Sequence, residues 1–335
     1  MTSQRMRIPS QADGLELSVL MTRPEGEVQG LVQIAHGMAE HKERYLPFME
    51  ALAKAGIACL INDHRGHGES APTPKDLGWF GEKGAEALLQ DLHQLTGVLR
   101  EAFPCLPLCL FGHSMGSLAA RVYLQRWAAD IDGLVVCGCP GYNPATDLGL
   151  ALVRLLKKLK GERARSRLID ALVNGGFSGR FRGEGSPFAW LNSDPVAVAR
   201  YEKDPACGFL FTLNGYEALF ALIKRCYRGS GWQVPKPHMP VLFLSGAEDP
   251  CMISRRRLLE AAELLRAAGY ADVSVNTYSG MRHEILLEPG RDLVVADLLR
   301  YLDRLTRPDP AGRRPRGPRD DGAAGAPGSK ACGDM

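Results

Sequence analysis

The chain has 335 residues, 45 % of them hydrophobic and 24 % charged, an ordinary composition for a globular chain with a sizeable core. A formal net charge of only +3 argues against a nucleic-acid partner. With no apolar run long enough to span a bilayer and no secretory apolar region near Met1, a cytoplasmic protein is expected, peripheral at membranes at most.

In chain order, residues 15–22 alternate as a strand and residues 30–34 form a second. A helical period follows at 44–55, a strand at 58–62 and a long helix at Gly84–Ala102. The apolar run 107–111 then leads into Gly112-His113-Ser114-Met115-Gly116, and a helical pattern continues over 118–127. Gly133–Cys137 is a further strand. Short strands alternating with helical periods argue for a mostly parallel sheet with helices on both faces. The alternation breaks between Tyr142 and Pro235, where no core strand is evident, and resumes with strand 240–245, helix 254–268, strand Val273–Tyr278 and helix 291–305. The organisation expected is therefore a core over 1–141 and 236–306, a helical cap over 142–235 above the sheet's carboxyl edge, and a disordered tail over 307–335 rich in Pro, Gly and Arg.

Of the nine cysteines, Cys59, Cys109, Cys137 and Cys139 fall in strands, which reads as buried thiols rather than disulfides. Cys137-Gly138-Cys139 is too tight for a structural zinc pair.

A serine between glycines at a strand-to-helix turn is the nucleophile-elbow pattern. The glycines, Gly112 and Gly116, keep Cβ atoms away from the crowded turn. A serine needs a base and the base an orienting acid. Asp249 follows the strand 240–245 and His283 follows the strand ending at Tyr278, in the order Ser, Asp, His. Glu248 competes for the acid role, but the proline after Asp249 suits a fixed turn. Two backbone amides are needed for an oxyanion: that of Met115, and one from Ala35-His36-Gly37-Met38-Ala39, for which Met38 is the candidate. His36, Gly37 and His113 support these loops. His36, His41, Asp63, His64 and His67 are close enough in sequence to raise a metal site, but loop bracing is the preferred reading. No metal or cofactor is expected.

These blocks, with Glu40-His41, Arg44-Tyr45, Asp63-His64-Arg65-Gly66-His67-Gly68-Glu69-Ser70, Gly246-Ala247-Glu248-Asp249-Pro250 and Arg282-His283-Glu284, resemble the α/β-hydrolase superfamily, in its monoglyceride lipase and lysophospholipase-like branch. The resemblance runs from about Leu15 to Leu305. It implies an eight-stranded-type sheet with a helical cap, Ser114, Asp249 and His283 in catalytic places, and Met38 and Met115 at the oxyanion hole. It also implies a small lipid or ester substrate, most simply a monoacylglycerol or lysophospholipid. An amidase or peptidase with the same triad and a non-catalytic lipid- or partner-binding homologue are the alternatives. The oligomeric state stays open.

In the cap, Leu148, Leu152, Leu155, Leu156 and Leu159 recur at helical spacing among Arg154, Lys157, Lys158 and Lys160. Either this helix touches membrane surfaces transiently, or it packs its leucines on the body, and the second is preferred because any half-buried helix shows the pattern. Phe177, Phe181, Phe188, Trp190, Phe209, Phe211 and Phe220 line an acyl tunnel or form the cap's own core. Asp194-Pro195 and Asp204-Pro205 read as turn or helix-start signals.

Overall fold

In the computed structural model, which describes residues 1–307, the strands are β1 (Thr2–Pro9), β2 (Glu16–Arg23), β3 (Gly30–Ala35), β4 (Ile57–Asn62), β5 (Leu108–His113), β6 (Gly133–Cys137), β7 (Val241–Gly246) and β8 (Val273–Tyr278). They make one eight-stranded sheet in the order β1-β2-β4-β3-β5-β6-β7-β8. The pairs β1–β2 and β2–β4 are antiparallel and every other pair is parallel. The helices are α1 (Leu46–Lys54), α2 (Gly84–Ala102), α3 (Met115–Trp127), α4 (Thr146–Lys160), α5 (Arg167–Gly179), α6 (Pro195–Lys203), α7 (Leu213–Cys226), α8 (Arg255–Ala268) and α9 (Arg291–Thr306).

β3, β4 and β5 are buried along their whole length. Strands covered on both faces have no polar face to alternate with, so their sequences read as continuous apolar runs. The pleat still sorts them. Leu31, Leu60, Leu108 and Leu110 join the core under α2 and α3, whereas Val32, Ile34, Cys59, Ile61, Cys109 and Phe111 join the core under α1 and α9.

β1 has no counterpart in the expectation from sequence. It is an edge strand, mostly exposed, paired with β2 alone over Thr2↔Arg23 to Pro9↔Glu16. A strand with one neighbour and little burial needs no apolar alternation, so its pattern is silent. Caps account for other boundaries: Ser254 Oγ accepts from the Arg257 amide at the start of α8, and Gly269, at φ 118°, ends it. Asp194 Oδ1 accepts from the Val196 amide and Pro195 opens α6.

The chain leaves β3 to build β4 on one side and later adds β5 on the other. The loops after β3 and β5 therefore diverge over a crevice at the sheet's carboxyl edge, where open α/β sheets bind ligands. Between β6 and β7 the chain forms α4 to α7. α7 packs on α2 and α3, and α4 packs on α7. Cys59, Cys109, Cys137, Cys139, Cys207, Cys226 and Cys251 are buried free thiols, and Cys105 stands outside that set. The tail expected over 307–335 lies outside the described residues apart from Arg307.

Candidate active site

Ser114 is the single residue between β5 and α3, held at φ 52° and ψ −118°. L side chains rarely adopt that backbone, and the strain presents the side chain at the apex of the turn. The packing around it requires glycine. A Cβ at Gly116 would stand 2.0 Å from the Ala35 carbonyl oxygen, and one at Gly112 would stand 2.4 Å from that of Gly116. The Ser114 amide donates to the Cys137 carbonyl across the sheet (2.9 Å), while the Met115 amide, first in α3, has no acceptor within its own helix.

Asp249 lies in the turn after β7. Its Oδ1 accepts from the Cys251 amide (2.8 Å) and its Oδ2 from His283 Nδ1–H (2.9 Å). It is Asp249, not Glu248, that meets His283. Both partners are buried, at 1 % and 2 % exposure, so the bond is shielded from water. With its proton on Nδ1, the imidazole has an unprotonated Nε2 available as a base. The loop carrying His283 crosses directly over the end of β7, where a Cβ at Gly246 would stand 2.0 Å from the Arg282 carbonyl oxygen. Ser114 and His283 line one cavity, together with Met38, Met115 and Cys251.

The loop after β3 brings Met38 to the same cavity. Its neighbours are already engaged: the Gly37 amide donates to Glu40 Oε1 (2.6 Å) and the Ala39 amide to His67 Nε2 (3.2 Å). A Cβ on Gly37 would stand 3.2 Å from the Ser114 Cβ and 2.6 Å from Glu40 Oε1, so glycine lets this loop approach the serine.

Three of the clustered histidines act as bracing. His36 Nε2 accepts from the His64 amide (2.9 Å), His64 Nε2–H donates to the His36 carbonyl (3.2 Å), and the His36 and His64 rings lie 4.0 Å apart. Burial pushes the pKa of His64 down to about 3 and that of His67 down to about 4, which keeps both rings neutral. Asp63 belongs to a separate buried cluster, accepting from Lys42 Nζ (2.8 Å) and from the Lys42 and Glu69 amides.

The sequence reading assigned no role to Glu40, Arg44 or Glu284. Glu40 Oε1 accepts from Gly37, from Tyr45 Oη (2.9 Å) and from His113 Nδ1 (3.2 Å), and Oε2 accepts from Arg44 (2.6 Å). Arg44 also forks onto Glu284, beside His283, and His113 Nε2–H donates to the His283 carbonyl (3.2 Å). Burial alone would push Glu40 up, but His113 and Arg44 hold it well below the usual carboxylate range; burial likewise opposes the His113 charge, and Glu40 raises it. The i,i+4 spacing of Glu40 and Arg44 was the available signal. Nothing local marks Glu284.

The cavity measures about 840 Å³, within the range of small-molecule sites. Phe177, Phe188, Trp190, Phe209 and Phe220 line it, whereas Phe211 is fully buried against His67 and Phe80, and Phe181 lies under Arg282. The aromatics thus divide between wall and core. On α4, Leu152 and Leu156 pack inward, but Leu148 and Leu159 are 74 % and 71 % exposed and Leu155 is exposed too, so the inward-packed reading fails for this face. Leu168 and Leu172 on α5 extend the exposed stripe, and Leu148 and Leu172 also rim the cavity. Among the described residues no helix is long and apolar enough to cross a membrane.

A family model described as serine aminopeptidase, S33, matches residues 26–290. A monoacylglycerol lipase of Mycolicibacterium smegmatis is 28 % identical over 284 residues, covering 83 % of this chain and 90 % of that protein. Human monoglyceride lipase is 30 % identical over 280 residues, covering 81 % of each. Among solved structures, a thermostable carboxyl esterase from Bacillus coagulans in complex with glycerol superposes with a TM-score of 0.84 at 26 % identity, covering 92 % of this chain and 100 % of that one.

Proposed function

The chain belongs to the serine aminopeptidase S33 family as an ester-hydrolysing α/β-hydrolase of the monoglyceride-lipase-like branch, and from that premise we propose that Ser114, His283 and Asp249 cleave a monoacylglycerol or lysophospholipid. Ser114 Oγ attacks the ester carbonyl while His283 Nε2 takes its proton. Asp249, through its bond to Nδ1, holds the ring's tautomer and stabilises the imidazolium. The tetrahedral oxyanion is received by the Met38 and Met115 amides. His283 returns the proton to the departing alcohol, and water then releases the acid from Ser114 by the same route.

The observation that carries the substrate reading is the predominantly apolar wall of the cavity that Ser114 and His283 share. An acyl chain fits such a wall; a peptide amine needs an available carboxylate. Of the three carboxylates at the cavity, Glu40 and Glu284 are paired with Arg44, and Asp170 accepts on Oδ1 from Tyr216 Oη (2.8 Å) and Asn174 (2.7 Å). The ester reading therefore rests on the apolar wall, and the amide arm of the test below decides against it or for it. The segment 142–235 serves as the cap, and its leucine stripe beside Arg154, Lys158 and Lys160 suits transient contact with an anionic lipid surface.

The test is labelling with a fluorophosphonate probe, comparing the wild type with Ser114→Ala, followed by turnover of monoacylglycerols, lysophospholipids, p-nitrophenyl esters and aminoacyl amides. Labelling lost only in the variant and turnover highest on the long-chain esters are expected. An unlabelled wild type, or better turnover of the amides, overturns the reading.

A further inference from the structure

Among the described residues, one cluster of metal-ligating side chains lies outside the catalytic constellation. His41 ends the loop that presents the Met38 amide, and Asp204 and Cys207 stand in the turn after α6. One donor atom from each lies within 4.8 Å of the other two, with His41 Nε2 and Asp204 Oδ2 2.9 Å apart. The turn sits directly on the loop: the Gly208 amide and Tyr201 Oη both donate to the Ala39 carbonyl at 2.9 Å. We propose that His41, Asp204 and Cys207 bind a zinc ion that clamps the turn after α6 to the loop carrying the Met38 amide.

Three features support this. The first is the donor set. Imidazole, carboxylate and thiolate together suit zinc, whereas calcium and magnesium take oxygen ligands. The second is spacing. Zinc–ligand bonds of about 2.0–2.3 Å in a tetrahedron set donors roughly 3.3–3.7 Å apart, a range that lies between the 2.9 Å of the His41–Asp204 pair, which would open by about half an ångström, and the 4.8 Å within which all three donors lie. The third is orientation by outer partners. Glu43 Oε2 holds His41 Nδ1 (2.9 Å), which aims Nε2 at the cluster, and the Ala206 amide holds Asp204 Oδ1 (2.8 Å), which turns Oδ2 toward His41 Nε2, so that an ion would take the place of the proton between those two atoms. Asp204 is a third exposed, so an ion and a fourth, solvent ligand can reach the site. Arg44, the nearby cation, is already balanced by Glu40 and Glu284.

The catalytic cluster Asp249, Cys251 and His283 offers a similar donor set, so the test must separate the two. The full chain is stripped with a chelator, dialysed and titrated with cobalt(II), then with zinc. Expected is one equivalent of cobalt showing a thiolate charge-transfer band, displaced by zinc and absent in Cys207→Ser. Asp204→Asn and Glu43→Gln should each weaken binding by about tenfold or more, with circular dichroism verifying that each variant folds. The proposal is overturned if cobalt gives no such band, or if the band survives Cys207→Ser; its disappearance in Cys251→Ser instead would place the ion at the catalytic cluster. A failure of either kind leaves the ester-hydrolase reading untouched, because that reading rests on Ser114 labelling.

Discussion

The Arg44 guanidinium meets the Glu284 carboxylate through two bonds of 2.6 and 2.7 Å across 240 residues of sequence, and so joins the loop after β3 to the loop that carries His283. Glu40, on the other side of Arg44, ties in Gly37 and His113. The groups flanking Met38, Ser114 and His283 therefore share one buried ionic cluster. Removing Arg44 takes the guanidinium from both carboxylates, with His113 remaining beside Glu40. Arg44→Met is expected to lose about 3–5 kcal/mol of stability in urea unfolding, and Arg44→Met/Glu284→Gln should recover part of the loss. Additive losses in the double variant would mean that the pair is not coupled.

Gly116 faces backbone rather than a movable side chain, since its Cβ would meet the Ala35 and His36 carbonyls. Gly116→Ala should therefore cost about 3 kcal/mol or more, or fail to fold. Gly97, where a Cβ meets nothing within 4 Å, is the control: Gly97→Ala in α2 should stabilise by about 0.5–1 kcal/mol. Thermal unfolding of both variants decides it.

For the proposed catalytic roles, Asp249→Asn should lower kcat on a p-nitrophenyl ester by about 10⁴ with KM little changed, because the amide favours the wrong His283 tautomer. A drop of less than tenfold would remove Asp249 from the mechanism.

Stability should depend on pH through the bracing histidines. His64 and His67 have folded pKa values of about 3 and about 4, against about 6.5 in an unfolded chain. Their contribution is complete above pH 6.5 and is lost as pH falls toward those values, because the unfolded chain takes up protons that the folded rings refuse. Each should cost about 2 kcal/mol between pH 7.5 and pH 5. His113, raised by Glu40, works in the opposite sense, so the readout is a comparison: His67→Gln, which keeps an acceptor for the Ala39 amide, should show a smaller loss over that interval. Equal losses in urea titrations of the two proteins would contradict the assignment.

The exposed stripe on α4 gives a separable prediction. Leu155→Glu/Leu159→Glu should reduce sedimentation with anionic vesicles several-fold while hydrolysis of a soluble short-chain ester is maintained. Unchanged vesicle binding would leave the stripe without this role.

Much of the fold was legible because its signals are local. The continuous apolar runs of β3 and β5 and the helical periods of α2 and α9 follow from complete burial of a strand or from contacts within a few residues, and Gly112 is required by the nearby Gly116 carbonyl, although Gly116 itself is required by the distant end of β3. The order of Ser114, Asp249 and His283 was likewise readable, since each follows a recognisable strand. β1 was not, because an exposed edge strand has no periodicity to read. Tertiary structure alone decided which side chains meet. Arg44 finds Glu284 240 residues away, and His41 finds Asp204 163 residues away, only after the sheet has brought its carboxyl-end loops together. It also decided that Leu155 and Leu159 face solvent, since a helical period records that a face is apolar and not what covers it.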